Sequence, residues 1–213
     1  MKQSALIIFV KAPILGRVKT RLSPHLSQRE ILRLYKSFLR TITERCSRLD
    51  RVDRFLGCTP TKDDDFLSRL AGQYGYGCFD QRGKTLGERL INAFRDHFDT
   101  GYKKVVIIGS DSPTIPLEYI KDAFTILNKK EFVLGPCNDG GYYLVGARRL
   151  YERVFRRIPW DTSEVLNKTL DRLNSGDIDY YLLPFWYDVD RIEDMMFYKR
   201  HLKYLKKAGN DKC

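Results

Sequence analysis

Apolar residues in this chain follow two rhythms. Ala5-Leu6-Ile7-Ile8-Phe9-Val10 and Val105-Val106-Ile107-Ile108 are short continuous runs rich in branched side chains. Such runs belong to strands covered on both faces. In contrast, Ile31, Leu34, Tyr35, Phe38 and Ile42 recur at helical spacing toward Cys46. Ser27 stands three residues before Glu30 and predicts a capping box at the start of that helix. Arg29, Arg33, Lys36 and Arg40 fall on another face of it, where solvation is explanation enough.

The same reading predicts strands over 54–58, 76–79, 132–134, 142–145 and 180–183. It predicts helices over 66–70, 86–98, 117–128, 150–156 and 163–173. Asp63-Asp64-Asp65 reads as a turn that opens a helix, and Asp190 with Glu193 as the cap of a last, basic helix. Strand and helix alternate, which predicts an α/β fold: a three-layer α/β/α sandwich around a mostly parallel, mixed sheet. No repeat or linker interrupts the pattern, so residues 1–213 read as a single domain.

The composition is 43% hydrophobic and 31% charged, which argues against a largely disordered chain. No apolar run approaches the roughly 20 residues of a membrane span. The first run passes into Lys11 and Pro13 without a cleavage site for a signal peptide. The five cysteines (Cys46, Cys58, Cys78, Cys137, Cys213) include no C-x-x-C pair, which disfavours a disulfide framework or a zinc ribbon. A reduced, cytoplasmic protein is expected. The net charge of +11 invites a polyanion partner. However, residues 1–60 hold 13 Lys+Arg against 4 Asp+Glu, so the basicity is concentrated there.

Ligands of open α/β sheets bind beyond the carboxyl ends of the strands. Four loops there carry chemistry. Lys11-Ala12-Pro13-Ile14-Leu15-Gly16-Arg17-Val18-Lys19-Thr20-Arg21 follows the first strand with four cations and a glycine, a composition that can wrap a polyphosphate. It lacks the Walker A spacing. Gly109-Ser110-Asp111-Ser112-Pro113 places an acid at the end of an apolar strand, where it can hold a divalent cation or cap a turn. Asp188-Val189-Asp190 can aim two carboxylates at one site, although capping accounts for Asp190 by itself. Gly135-Pro136-Cys137-Asn138-Asp139-Gly140-Gly141-Tyr142 reads either as a ligand-approaching loop or as a plain hairpin. The histidines have no ligand spacing, and neither G-x-S-x-G nor G-x-G-x-x-G is present.

Residues 8–22, 81–89, 109–113, 135–146, 158–162 and 188–194 together resemble the DUF2064 family of glycosyltransferase-like proteins. That family is similar to the nucleotide-diphospho-sugar transferases of GT-A fold. Lys19-Thr20-Arg21-Leu22 also resembles the first loop of 2-phospholactate guanylyltransferases. The resemblance implies a GT-A domain that uses Mg²⁺ or Mn²⁺, with Asp111 and either Asp190 or Asp188 as metal ligands. It implies that Gln81, Gly83, Leu86, Gly87 and Arg89 lie near the nucleotide or acceptor. Lys84-Thr85 stands where the family pattern carries an acid, so no metal ligand is expected there.

The expected function is metal-dependent nucleotidyl or glycosyl transfer from a nucleoside triphosphate or sugar nucleotide to a small acceptor. Asp111, Lys19 and Asp190 would be catalytic. Lys11, Gly16, Arg17, Lys19, Thr20 and Arg21 would hold phosphates. Gln81, Gly87, Arg89, Asp139, Gly140, Gly141 and Tyr142 would face acceptor or sugar. A homodimer is compatible with this reading. The alternative is a non-catalytic basic module for RNA or an acidic protein. It gives the acidic strand ends nothing to do, so nucleic acid is the disfavoured partner.

Overall fold

The computed structural model describes residues 3–210. Strands Ser4–Lys11 (β1), Asp53–Thr59 (β2), Gly77–Asp80 (β3), Lys104–Gly109 (β4), Phe132–Pro136 (β5), Tyr142–Ala147 (β6) and Tyr180–Leu182 (β7) form one sheet. Their order is β3-β2-β1-β4-β6-β5-β7. β6 runs antiparallel to β4 and β5, and the other pairs are parallel. The helices are Gln28–Ser47 (α1), Asp65–Tyr74 (α2), Leu86–Asp99 (α3), Leu117–Ile126 (α4), Glu152–Phe155 (α5), Val165–Asn174 (α6) and Ile192–Asn210 (α7).

Successive strand residues point to opposite faces, and β1 shows why its apolar run is unbroken. Leu6, Ile8 and Val10 pack with Phe38 of α1, Leu67 of α2, Ile120 of α4 and Tyr198 of α7. Ala5 and Ile7 pack with Leu90 and Phe94 of α3, Phe155 of α5 and Leu173 of α6. Both faces are roofed, which gives the α/β/α layering. Each fully buried branched side chain contributes about 1.5–3 kcal/mol.

Local signals set several of the helix starts. Ser27 Oγ accepts from Glu30 N–H, and Glu30 Oε2 accepts from Ser27 N–H at 2.9 Å, completing the capping box. Asp64 caps α2 by accepting from the N–H groups of Phe66 and Leu67, both at 3.0 Å. The helix expected over 150–156 is only the short α5. Arg157 turns left-handed (φ 56°) and Pro159 follows, so the helix cannot continue. A second expectation is corrected at α7. Asp190 is not its cap; Asp194 Oδ2 accepts from the N–H groups of Asp190 (3.1 Å) and Arg191 (2.8 Å).

The chain winds from β1 through β2 to β3, then crosses to the other side of β1 with β4. Loops leaving the carboxyl ends of β1 and β4 therefore diverge and leave a crevice between them. Among the described residues no helix is long and apolar enough to cross a membrane. Cys46, Cys58, Cys78 and Cys137 are free thiols, and Cys213 lies outside the described residues.

Candidate active site

The loop after β1 is anchored at its start before it reaches the crevice. Lys11 N–H donates to the buried Tyr35 hydroxyl at 2.9 Å, and Ala12 N–H to Thr59 O at 2.7 Å. Lys19 then adopts a left-handed backbone (φ 46°, ψ 42°) at the start of a single 3-10 turn, Thr20–Leu22. Such a conformation is costly for a long side chain and persists only where its surroundings over-determine it. Here it turns the lysine inward. Lys19 Nζ lies 2.8 Å from Asp111 Oδ1 and 2.7 Å from Asp190 Oδ1, with 4% of its side chain exposed. Arg21 reaches the other oxygen of Asp190 at 3.5 Å.

The electrostatics follow from this packing. Burial alone would lower the Lys19 pKa, but the two carboxylates outweigh it and hold it above its ordinary value. Burial would raise Asp190, but Lys19 and Arg21 prevail and hold it low. Asp188 is pushed up to about 7, first by burial and then by the charge of Asp111, while the Ser112 hydroxyl donates to it. Val189 N–H donates to Asp111 O at 2.9 Å, which ties the segment of Asp188 and Asp190 to the end of β4.

The crevice has a volume of about 690 Å³, within the usual range of small-molecule sites. Among the residues expected to form a site, Lys11, Lys19 and Arg21 line it on the phosphate-loop side. Asp111, Asp188 and Asp190 line its centre, and Gln81, Arg89, Asp139, Gly141 and Tyr142 the rest. Gln81 Nε2 donates to Gly57 O (2.7 Å) and Val10 O (3.3 Å). Two carbonyls at one end of the amide require the nitrogen there, so its oxygen is free of those contacts.

Other expected residues lie outside the lining. Gly16 (φ 73°) turns the loop beside Gln28, and neither Arg17 nor Thr20 lines the crevice. Gly87 packs helix against loop: a Cβ there would meet Phe155 O at 2.5 Å and Trp160 Nε1 at 2.8 Å. Gly140 does the same at the hairpin tip, where a Cβ would lie 2.2 Å from Ser163 O. Sequence reasoning gave no role to Trp160, Asp161, Thr162 and Ser163, which form a wall of the crevice. Their signals were the resemblance of residues 158–162 to the family pattern, which came with no role, and a lone tryptophan beside a proline.

Two donor sets could hold a metal. Oxygens of Asp111, Asp188 and Asp190 are hard donors of the kind Mg²⁺ and Mn²⁺ take, and Lys19 Nζ already marks a position for positive charge between two of them. Cys137 Sγ, Asp139 and Asp188 also bring donor atoms within 4.8 Å of one another. Burial pushes the Cys137 thiol up and keeps it protonated, so sulfur is the poorer ligand. Carboxylate oxygens are the donors a divalent metal would take in either set; the thiol does not strengthen the second.

The family and the fold have counterparts among known proteins. Residues 41–162 match the family model described as an uncharacterized protein conserved in bacteria, DUF2064. The 2-phospho-L-lactate guanylyltransferase of Methanocaldococcus vulcanius is 24% identical over 213 residues, covering 96% of this chain and 91% of the relative. A solved Desulfovibrio desulfuricans protein, described as a candidate nucleotide-diphospho-sugar transferase, superposes with a TM-score of 0.85 at 33% identity. That match covers 92% of this chain and 85% of the other. The 4-diphosphocytidyl-2C-methyl-D-erythritol synthase of Anaerococcus prevotii shares the fold alone, with a TM-score of 0.62 at 11% identity over 95% of this chain and 97% of that one.

Proposed function

The chain belongs to the DUF2064 family, and from that premise we propose that this transferase moves a nucleotidyl group from a nucleoside triphosphate to a small acceptor, with Mg²⁺ or Mn²⁺. The observation that carries the reading is the buried Lys19 held between Asp111 and Asp190 at the carboxyl edge of β1 and β4. It joins a phosphate-binding cation to carboxylates suited to a divalent metal. The guanylyltransferase likeness over nearly the whole chain supports the nucleotidyl form.

Lys11, Lys19 and Arg21 neutralise phosphate oxygens, Lys19 exchanging its carboxylate partners for them. Gln81, its nitrogen committed to backbone carbonyls, accepts from the base through its oxygen. Asp111 with Asp188 or Asp190 would hold the metal, which supplies charge neutralisation at the phosphates. Arg89 and Arg191, both on the crevice wall, hold an anionic acceptor. An acceptor oxygen bonds to the α-phosphorus as the bond to pyrophosphate breaks. Positioning and fixed charge supply most of the acceleration in such transfers.

The likeness to the candidate nucleotide-diphospho-sugar transferase favours a second form, glycosyl transfer from a sugar nucleotide. A thermal-shift panel separates the two. Stabilisation by a triphosphate with Mg²⁺ or Mn²⁺, and not by sugar nucleotides, is expected. Stabilisation by a sugar nucleotide alone replaces nucleotidyl with glycosyl transfer, and no response to either class refutes both.

A further inference from the structure

A second cavity, of about 550 Å³, shares Trp160 with the active-site crevice. Its floor is apolar: Ile91 of α3, together with Phe155 and Ile158 around the end of α5, all buried. Its rim is cationic, made by Arg95, Arg156 and Arg157. Arg95 and Arg156 share a single carboxylate, Glu152, with Arg95 at 2.5 Å. Arg157 has no hydrogen-bond or ion-pair partner among the described residues, and its backbone is left-handed (φ 56°). The one acid on the lining, Glu88, is already committed to the N–H of Lys84 at 2.7 Å. Three guanidinium groups over an apolar floor are therefore answered by one carboxylate, Glu152, which two of them share, while Glu88 is held by the Lys84 N–H.

We propose that this cavity binds an organic anion with an apolar body, its phosphate or carboxylate on Arg156 and Arg157 and its body on Ile91, Phe155, Ile158 and Trp160. Planar guanidinium groups suit such anions, and a floor of ring and branched carbons suits an aromatic or branched body. Because Trp160 belongs to both cavities, the ligand is either the far end of a long acceptor or a separate effector. The chemistry is the same in each case.

The chain has two tryptophans, so Trp186→Phe leaves Trp160 as the only reporter. Titrating that protein with 1-naphthyl phosphate, without nucleotide, should give saturable quenching. Arg156→Gln with Arg157→Asn should weaken binding at least about tenfold, the scale of lost charge-assisted bonds. Asn keeps the left-handed backbone accessible, so single Arg157→Asn serves if the double variant does not fold. Unchanged affinity in the arginine variants, or no saturable binding, overturns the proposal. So does loss of binding in Arg21→Ala, which would put the probe in the crevice. Repeating the titration with triphosphate and Mg²⁺ separates the sources: probe and triphosphate that change each other's affinity by the same factor mark an effector site, and affinities that do not depend on each other mark the far end of an acceptor. The transferase reading can fail while this binding stands.

Discussion

Replacing Lys19 with Met keeps the length of the side chain and removes one charge from between two carboxylates. A surface ion pair is worth about 0–1 kcal/mol, whereas stranding a fully buried charge costs about 3–5 kcal/mol. Lys19 is at the buried end of that range, but Asp111 and Asp190 keep 39% and 30% of their side-chain surface exposed. Water can resolvate the two acids, which sets the loss near the middle, about 2 kcal/mol. For a chain of this size that is a fall of roughly 4–8 °C in melting temperature. The carboxyl of Asp190 is held below its ordinary value because Lys19 outweighs burial. Its contribution is therefore complete above the unfolded value of about 4 and is lost as pH falls through the folded value. The gap between wild type and Lys19→Met should open at neutral pH and close in acid. Added Mn²⁺ should raise the melting temperature of the variant more than that of wild type, since the variant offers both acids without a competing cation. Scanning calorimetry in EDTA and then in Mn²⁺ reads each step. A variant that melts with wild type at neutral pH, or gains no more from Mn²⁺, refutes the reasoning.

Asp111→Asn should lower turnover at least about a hundredfold, the scale for losing a key electrostatic group, with the circular dichroism spectrum retained; near-normal turnover would remove Asp111 from the site. Gly140→Ala should cost about 3 kcal/mol, because the new Cβ meets backbone 2.2 Å away at φ 87°. Gly101→Ala, with φ 96° but nothing within 4 Å, should cost only the backbone strain, about 1 kcal/mol; equal losses in urea melts would deny the packing role of Gly140. The neighbouring Cys58 thiol, with the charge of Lys62, lowers the pKa of the Cys78 thiol against the pull of its own burial. Burial pushes the Cys46 and Cys137 thiols up. Iodoacetamide at neutral pH should therefore label Cys78 ahead of Cys46 and Cys137, and peptide mass spectrometry showing either of those two first would contradict this.

The layers were legible because burial on both faces leaves a plain mark, the unbroken apolar runs of β1 and β4. Loops that end such strands must reach the carboxyl edge, so the cation loop and Asp111 were legible as one site. What was not legible depends on contacts far apart in sequence. Four cations of the first loop look equivalent, and the inward turn of Lys19 is set by its left-handed backbone and by a partner 171 residues away. Asp190 looked like a cap because Glu193 stands at the right spacing, yet Asp194 performs the capping and leaves the Asp190 carboxylate to Lys19. Gly87 and Gly140 looked like approaches for a ligand. Their need for glycine comes instead from Phe155, Trp160 and Ser163, which no local pattern connects to them.

The distribution of positive charge also decides between the enzyme and a module for RNA. A surface that grips a nucleic acid turns its cations outward, because affinity comes from phosphates neutralised along a broad face. Here the loop cation nearest the centre is the most buried one, and it faces carboxylates. On α1, Lys36 and Arg40 both lie about 5.1 Å over the Phe66 ring, so part of that basic face is spent on an aromatic neighbour. Asp111, Asp188 and Asp190 would repel a phosphate backbone laid across the crevice, and only an intervening cation reverses that sign. Acids beside cations in one crevice make sense for a ligand that arrives as phosphates with a metal. They make little sense for a polyanion bound through its backbone.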